Sequence, residues 1–365
     1  MKKLLSMLFV VCLMLSLVSA VLAEDYDYPT KDFFDDRIKG RVKYSGAENF
    51  DVDQFINSEY GEQTSLVLKT RYAYSEDMDE ALLAQRKAEG IMKEGFNLDT
   101  EDKADNYYVY SPVDMEEGTL YPLLFVNHGG GAAAFTIEGF GFIDLIPTEK
   151  FIIASAEDTS VENLYAIYEA VTAKYPVDRT RVYSTGTSAG GMASVSIAVA
   201  YPKLIAAIAP NDIGPSMSTE NAAVLKDAAM PISYTTGLAD KYHPYPVASA
   251  EANAVATGIS GYNNLLSAFG LEEYAMTEEL SASLLSESES FIERATGLRF
   301  PNVEQLTYIN NSVYRCEIVG ANGATLRINV VENKPHMFIG YDARDAWNFL
   351  KQFSRDTETG ELKVN

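Results

Sequence analysis

The feature that most constrains the fold is a regular alternation of strand-length apolar runs and helical segments, beginning at about Asn106. The runs YPLLFVN (121–127), FIIASA (151–156) and RVYST (181–185) have the length and composition of buried strands. The segment between the last two carries apolar residues at the i, i+3, i+4, i+7 spacing of a helix. Strand and helix in alternation predict a mostly parallel central sheet with helices on both faces.

The pattern changes toward the C-terminus. Residues 247–303 are rich in helical spacing and interrupt the strand order, so they predict a helical cap insertion. Residues 314–333 predict a hairpin, because Asn322–Gly323 suits a tight turn between two apolar runs. Upstream of the alternation, a helix is predicted from about Met78, with Gly95 as its stop.

The N-terminus has the pattern of a secretory signal peptide. Lys2 and Lys3 are followed by an apolar run that closes with small residues near Ala23. We therefore expect residues 1–23 to be removed on export, residues 24–105 to form an N-terminal extension of unassigned role, and residues 106–365 to form the catalytic domain. The predicted location is extracellular.

The charge of the chain restricts its partners. The formal net charge is −23, which repels nucleic acid and anionic lipid, so neither is expected as a partner. Past the signal peptide Cys316 is the one remaining cysteine, so no intramolecular disulfide is expected. Cys316 lies in a strand-like run and is predicted to be buried.

The stretch YSTGTSAGGMAS (183–194) has three interpretations: a flexible linker, a phosphate-binding loop, or a turn that presents a nucleophilic serine. A Walker loop needs Lys after its last glycine, whereas Met192 follows Gly191. A dinucleotide loop needs glycine at the position of Ser188. The pattern G-x-S-x-G between strand and helix instead indicates Ser188 as the nucleophile.

A second glycine-rich stretch, Asn127 to Gly131, follows the strand 121–127 directly. Its glycines let backbone N–H groups approach a carbonyl oxygen, so Gly129, Gly130 and Ala189 are the predicted oxyanion donors. A simple tight turn is the alternative. His128 is expected to brace this loop.

The base and the acid follow from chain order. Of the three histidines, His336 comes after the last strand, and the order serine, acid, histidine selects it as the base. Asp240, in the loop after PISYTTG, is the preferred acid, and Asp212 after the preceding strand is the rival. Predicted pocket residues are Phe135, Tyr242, His243 and Phe338. No spacing predicts a metal or a cofactor.

These motifs resemble the α/β-hydrolase superfamily, and within it the secreted esterases that include poly(3-hydroxybutyrate) depolymerases and feruloyl or acetylxylan esterases. The resemblance runs from about Asn106 to Arg355 and is carried by FVNHGGG, YPVDRTRVYSTGTSAGGMAS, TTGLAD and KPHMF. It implies cofactor-independent hydrolysis of carboxylic esters, on small-molecule, plant-polysaccharide-linked or polyester substrates. Two alternatives stay open: a serine peptidase of the same fold acting on short peptides, and a non-catalytic surface or binding protein.

Overall fold

The central element of the fold is one mixed sheet. The computed structural model describes residues 80–365 except 101, 239, 241, 244, 246–257, 309–310, 333, 335, 337 and 339. The strands of the sheet are β1 Ile91–Asn97, β2 Asn106–Pro112, β3 Tyr121–Asn127, β4 Ile152–Ala156, β5 Val177–Thr187, β6 Ala207–Asn211, β7 Ile232–Gly237, β8 Val303–Tyr308, β9 Asn311–Val319 and β10 Thr325–Val331. Two short strands, β11 Phe353–Arg355 and β12 Leu362–Val364, pair separately.

The strand order of the sheet is β1-β2-β4-β3-β5-β6-β7-β10-β9-β8. The six central strands, from β4 to β10 in this order, are parallel to one another. The pairs at the two edges are antiparallel. The mostly parallel sheet predicted from the sequence is therefore confirmed.

Helices cover both faces of this sheet. They are α1 Glu80–Ala88, α2 Ile146–Glu149, α3 Val161–Lys174, α4 Ala189–Ala200, α5 Thr219–Asp227, α6 Ile259–Ala268, α7 Glu278–Glu287, α8 Phe291–Thr296 and α9 Gly340–Leu350. Side chains of α3 to α8 join one hydrophobic core, and those of α2 and α9 join another. Along β3, Leu123 and Phe125 point into the first core, whereas Leu124 and Val126 point into the second. A strand buried on both faces explains the continuous apolar run in the sequence.

The start of the sheet differs from the sequence prediction. Helix α1 ends at Ala88, and Gly90, with φ +92°, turns the chain into β1. Gly95 therefore lies within a strand that pairs with β2, and the prediction of a helix reaching Gly95 is wrong. The sheet begins at β1, inside residues 24–105, which were expected to form an N-terminal extension. The predicted signal peptide lies outside the described residues.

The C-terminal hairpin agrees with its prediction. Strands β9 and β10 pair from Val319 and Thr325 inward, and Gly323 takes the positive φ of +82° that a tight turn requires. The predicted helix-rich segment holds α6, α7 and α8, which lie between β7 and β8 in the chain. Strand β8 was not predicted. Among the described residues, no helix combines the length and apolarity needed to cross a membrane.

Cys316 lies in β9 with 2% of its surface exposed. Burial, followed by the charge of Glu317, raises the pKa of its thiol to about 12. Because the thiolate is the reactive form, we expect native Cys316 to resist a thiol reagent such as DTNB at pH 8. In denaturant the same thiol should react within minutes. Fast labelling of the native chain, with folding verified by circular dichroism, would contradict this burial.

Candidate active site

Five neighbouring parallel strands carry the predicted catalytic loops. In their order in the sheet, β3 is followed in the chain by the His128–Gly131 loop, β5 by Ser188, β6 by Asp212, β7 by Asp240 and β10 by His336. Because parallel strands end at the same edge of a sheet, these five loops meet at one edge. Asp240 and His336, which are 96 positions apart in the chain, therefore become neighbours.

Ser188 stands on a strained turn between β5 and α4. Its backbone has φ 55° and ψ −117°, a conformation that non-glycine residues rarely adopt. Such a conformation costs about 1–3 kcal/mol, and here the surrounding backbone holds it: the Ser188 N–H donates to the Asn211 carbonyl at 2.9 Å. A serine held in this conformation between a strand and the first turn of a helix has the backbone geometry of a nucleophile elbow.

The strand order and the nucleophile elbow together decide the fold. The chain has an α/β-hydrolase fold. In this fold the nucleophile follows a central parallel strand, and the acid and the histidine follow later strands of the same sheet. The α/β-hydrolase fold predicted from the sequence is thus confirmed.

The glycines of the α/β-hydrolase elbow make room for close backbone contacts. A Cβ at Gly190 would lie 2.2 Å from the carbonyl oxygen of Asn127 and 2.5 Å from that of His128. A Cβ at Gly186 would lie 2.5 Å from the same Asn127 oxygen. Below the turn, the buried Asn127 amide donates to the Thr185 carbonyl at 3.1 Å. The loop after β3 and the elbow are therefore packed backbone against backbone.

This contact predicts the effect of a single methyl group. We expect Gly190→Ala to destabilise the chain by about 3 kcal/mol, because the clash is with backbone atoms that cannot rotate away. Thermal unfolding measures the loss. Gly258→Ala is the matched control, since its Cβ would meet only the Ser260 hydroxyl at 3.7 Å, and it should cost less than about 1 kcal/mol. Equal melting temperatures for the two variants would contradict the packing.

Asp240 and His336 form a hydrogen-bonded pair. The Nδ1–H of His336 donates to Asp240 Oδ2 at 2.7 Å, and the Asp240 carboxylate is fully buried. Its other oxygen accepts from the N–H groups of Tyr242 at 2.8 Å and His243 at 3.1 Å. Burial alone would raise the pKa of Asp240, but the hydrogen bond and charge of His336 outweigh it and hold the pKa below its ordinary value. Asp240 is thus an ionised carboxylate aimed at the imidazole.

Two further predicted residues surround the His336 ring. The ring of Tyr242 lies 4.7 Å from it between centroids, and that of His243 lies 5.7 Å away. Tyr242 is 41% exposed, whereas His243 is buried, and burial lowers the pKa of His243. Tyr242 therefore presents an aromatic surface to solvent beside the imidazole, and His243 supports the pair from within.

The loop after β3 lies alongside the elbow. A Cβ at Gly129 would be 3.8 Å from the Cβ of Ser188, and one at Gly130 would be 3.7 Å from the Cβ of Ala189. Within the described part of the chain, the backbone N–H groups of Gly129, Gly130 and Ala189 donate to no protein oxygen. Free N–H groups grouped around a serine are suited to hold a negatively charged oxygen.

His128 contacts this loop through both ring nitrogens. Its Nδ1 lies 2.8 Å from the Gly129 carbonyl oxygen and its Nε2 lies 3.0 Å from that of Glu157. The Glu157 carboxylate in turn accepts from the Ala134 N–H at 2.8 Å. These contacts place His128 in a position that braces the loop after β3.

The remaining two predicted pocket residues, Phe338 and Phe135, pack against the hydrophobic core that includes α9. Phe338 is 2% exposed and stacks on Phe140 at 4.9 Å between ring centroids, with Phe142 at 5.3 Å. Its side chain belongs to the core that packs against α9, and it offers little surface to a substrate. Phe135 is half-buried against the same core.

Asp212, the rival acid, is engaged elsewhere. Its Oδ1 accepts from the Lys334 ammonium, and its Oδ2 accepts from the Thr187 hydroxyl at 2.6 Å. One oxygen each of Asp212 and Asp240 and one nitrogen of His336 lie within 4.8 Å of one another. This group does not fit a metal ion, because the Lys334 ammonium already supplies a cation to Asp212. Lys334 stands two residues before His336, but no pattern in the sequence marks it as part of the site.

No protein family model matches the chain, and no curated protein matches it. Solved structures similar to it include an acetyl xylan esterase from Aspergillus awamori, with TM-score 0.44 and 13% identity over 71% of this chain and 99% of that one. Another is FphF, a fluorophosphonate-binding serine hydrolase of Staphylococcus aureus, with TM-score 0.35 and 15% identity over 41% of this chain and 80% of that one. A third is a feruloyl esterase module from Clostridium thermocellum, with TM-score 0.33 and 17% identity over 41% of this chain and 67% of that one. Similarity at this level carries no information on substrate.

Proposed function

We propose that this chain is a serine hydrolase that cleaves carboxylic esters, with Ser188 as nucleophile, His336 as base and Asp240 as the acid that orients it. The observation that carries this proposal is the pairing of a strained elbow serine with a buried Asp240–His336 hydrogen bond at the same edge of the sheet. A structural serine has no need of backbone strain, whereas a nucleophile gains exposure from it.

The acylation step follows from these roles. The Ser188 hydroxyl attacks the ester carbonyl while the imidazole of His336 takes its proton. Asp240 holds the imidazole in the tautomer with hydrogen on Nδ1 and stabilises it when it becomes charged. The N–H groups of Gly129, Gly130 and Ala189 bind the oxyanion, each at about 3 kcal/mol.

Acylation is complete when the imidazolium gives its proton to the leaving alcohol, which departs and leaves the acyl group on Ser188. In deacylation, water enters, loses a proton to His336 and attacks the acyl carbonyl. Collapse of the second tetrahedral intermediate breaks the bond to the Ser188 oxygen, which takes the proton back from the imidazolium, and the acid is freed. None of these steps needs a metal or an organic cofactor.

For the substrate, we propose an ester of a hydroxylated polymer or small alcohol, with acetyl, feruloyl or hydroxybutyryl groups as the acyl candidates. Tyr242 supports an aromatic or apolar group near the base, because its ring is exposed beside His336. Met192, at the first turn of α4, adds a second exposed apolar side chain four residues after the nucleophile. The acidic surface favours neutral esters over anionic ones.

We further propose that residues 1–23 direct the chain out of the cell and are cleaved near Ala23. The basic start, the apolar run and the small closing residues support this. Mass spectrometry of the exported chain tests it: an N-terminus at Glu24 is expected, and an exported chain that retains Met1 would contradict cleavage.

The activity is tested by two measurements on the wild-type chain. A fluorophosphonate probe should label it covalently, since the probe reacts only with an activated nucleophile. Nitrophenyl acetate, butyrate and hydroxybutyrate and a feruloyl ester should be hydrolysed, with peptide anilides much slower. Anilide turnover without ester turnover would support the peptidase alternative. Absence of labelling together with absence of turnover would support a non-catalytic protein.

A further inference from the structure

Lys334 is a fully buried lysine beside the proposed active site. Its side chain is 0% exposed, and it lies on the loop between β10 and His336. The ammonium donates to Asp212 Oδ1 and, at 2.9 Å, to Asn211 Oδ1, and Asp342 Oδ2 lies 3.5 Å away. A lysine is almost never fully buried unless it is paired, so this placement needs a reason beyond packing.

The partner of Lys334 reaches the nucleophile turn. Asp212, also 0% exposed, accepts a hydrogen bond from Thr187, the residue immediately before Ser188. Its neighbour Asn211 accepts the Ser188 N–H through its backbone carbonyl. The buried Lys334–Asp212 ion pair and the Thr187–Asp212 hydrogen bond therefore connect the turn of Ser188 to the loop of His336.

The backbone of Lys334 also contacts the loop of the acid. A Cβ at Gly237, the last residue of β7, would lie 1.8 Å from the Lys334 carbonyl oxygen. The two backbone segments therefore pack directly against each other, with no side chain between them. The Leu238 N–H donates to the Val331 carbonyl at 2.9 Å just before this contact. The loops of Asp240 and His336 leave the sheet side by side.

We propose that Lys334 is a positioning residue: through Asp212 it fixes the His336 loop against the Ser188 turn, and its charge lets two buried carboxylates lie beside one imidazole. This inference rests on the proposed function, since it assigns Lys334 to the same site. Asp240 remains the acid, because Asp212 has both oxygens engaged by Lys334 and Thr187.

The charged groups around the His336 imidazole determine how the variants of this proposal should change the pH profile. His336 is surrounded by Asp240 and His243 on the loop after β7, by Asp212 on the loop after β6 and by the ring of Tyr242. Lys334 lies next to Asp212, with Asp342 of α9 behind it. Burial would lower the pKa of Lys334, but the charges of Asp212, Asp342 and Asp240 outweigh burial and raise it. The ammonium is therefore charged and opposes the charge of Asp212, beside which it lies.

Removing each partner should move the pH profile in opposite directions. Lys334→Met leaves Asp212 uncompensated, which favours the imidazolium, so the acid limb of kcat/KM should move to higher pH. Asp212→Asn removes one negative charge from beside the imidazole while the ammonium stays, which disfavours the imidazolium, so the limb should move to lower pH. The double variant should return the limb toward wild type. In both single variants we expect kcat to fall about 10- to 100-fold, with KM little changed, because the loops shift relative to each other.

NMR titration of the His336 ring is the second readout, and it needs no substrate. With three histidines in the chain, the ring signals are few enough to assign. Lys351→Met is the matched control, since this half-exposed lysine pairs with Glu149 and should leave the profile unchanged. If Lys334→Met does not fold, Asp212→Asn and the double variant still decide the question.

Opposite shifts that cancel in the double variant support the positioning role. Shifts in the same direction, or unmoved titrations in folded single variants, overturn it. Failure of the proposed function has a different signature: the wild-type chain would neither label nor hydrolyse esters, while the ring titrations would still report on Lys334.

Discussion

Ser188→Ala should abolish ester hydrolysis, lowering kcat by about 10⁶-fold, and should eliminate fluorophosphonate labelling completely. The reason is that every covalent step passes through the Ser188 oxygen, which no neighbouring group can replace. The melting temperature should change little, because alanine must adopt the same strained backbone at φ 55°. Initial rates with nitrophenyl acetate and gel fluorescence of the labelled chain measure the two losses.

The control for this variant lies on α4, the helix that follows Ser188. Ser196 is exposed on α4, eight residues beyond the nucleophile, so Ser196→Ala should label and hydrolyse as the wild type does. Undiminished labelling of Ser188→Ala would place the reactive group elsewhere. Loss of labelling in both variants would instead point to damage of the helix.

Asp240→Asn should lower kcat by about 10⁴-fold while the chain stays folded. An amide in this position favours the wrong tautomer of His336 and cannot stabilise the imidazolium. Asp212→Asn should cost at most about 100-fold, because Asp212 acts through position alone. Comparing kcat of the two variants decides between the two acids, and a larger loss in Asp212→Asn would reverse the assignment.

The Asp240→Asn variant should also change how the free energy of unfolding depends on pH. The folded-state pKa of Asp240 is held below its ordinary value of 3.8, so the ionised carboxylate contributes stability above that pH. This contribution disappears as the pH falls through the folded-state pKa. Urea unfolding should therefore separate wild type from Asp240→Asn near neutral pH, and the difference should shrink below about pH 4. A constant difference down to pH 2 would show that the carboxylate charge is not involved.

The parts of the fold that the sequence predicts well are those with strong local signals. The central strands are buried on both faces, so their apolar runs are continuous, and Gly323 marks its turn by a backbone conformation that favours glycine. Strand β1 was mistaken for the end of a helix because IMKEGFN has few strand-forming residues. Its conformation comes from pairing with β2, which no local pattern reveals.

A similar contrast holds for the candidate site. Ser188 and the glycines around it are close in sequence, and their spacing follows from the geometry of one turn, so they could be found. Asp240 could be proposed as the acid because the acid of this fold has a preferred place in the chain order. Lys334 could not, since it lies 122 residues from Asp212, its main partner, and only the folded sheet brings the two together.

The neighbouring positions of β7 and β10 have a consequence for the timing of folding. Asp240 and His336 are 96 residues apart in the chain, and the helices α6 to α8 and the strands β8 and β9 must all be accommodated between them. Closing so long a loop is entropically costly and slow compared with forming local helices. A newly made chain can therefore acquire most of its helices before it has an acid–base pair. If the proposed function holds, the chain becomes able to cleave esters only when β10 docks beside β7, so the onset of activity would report completion of the sheet.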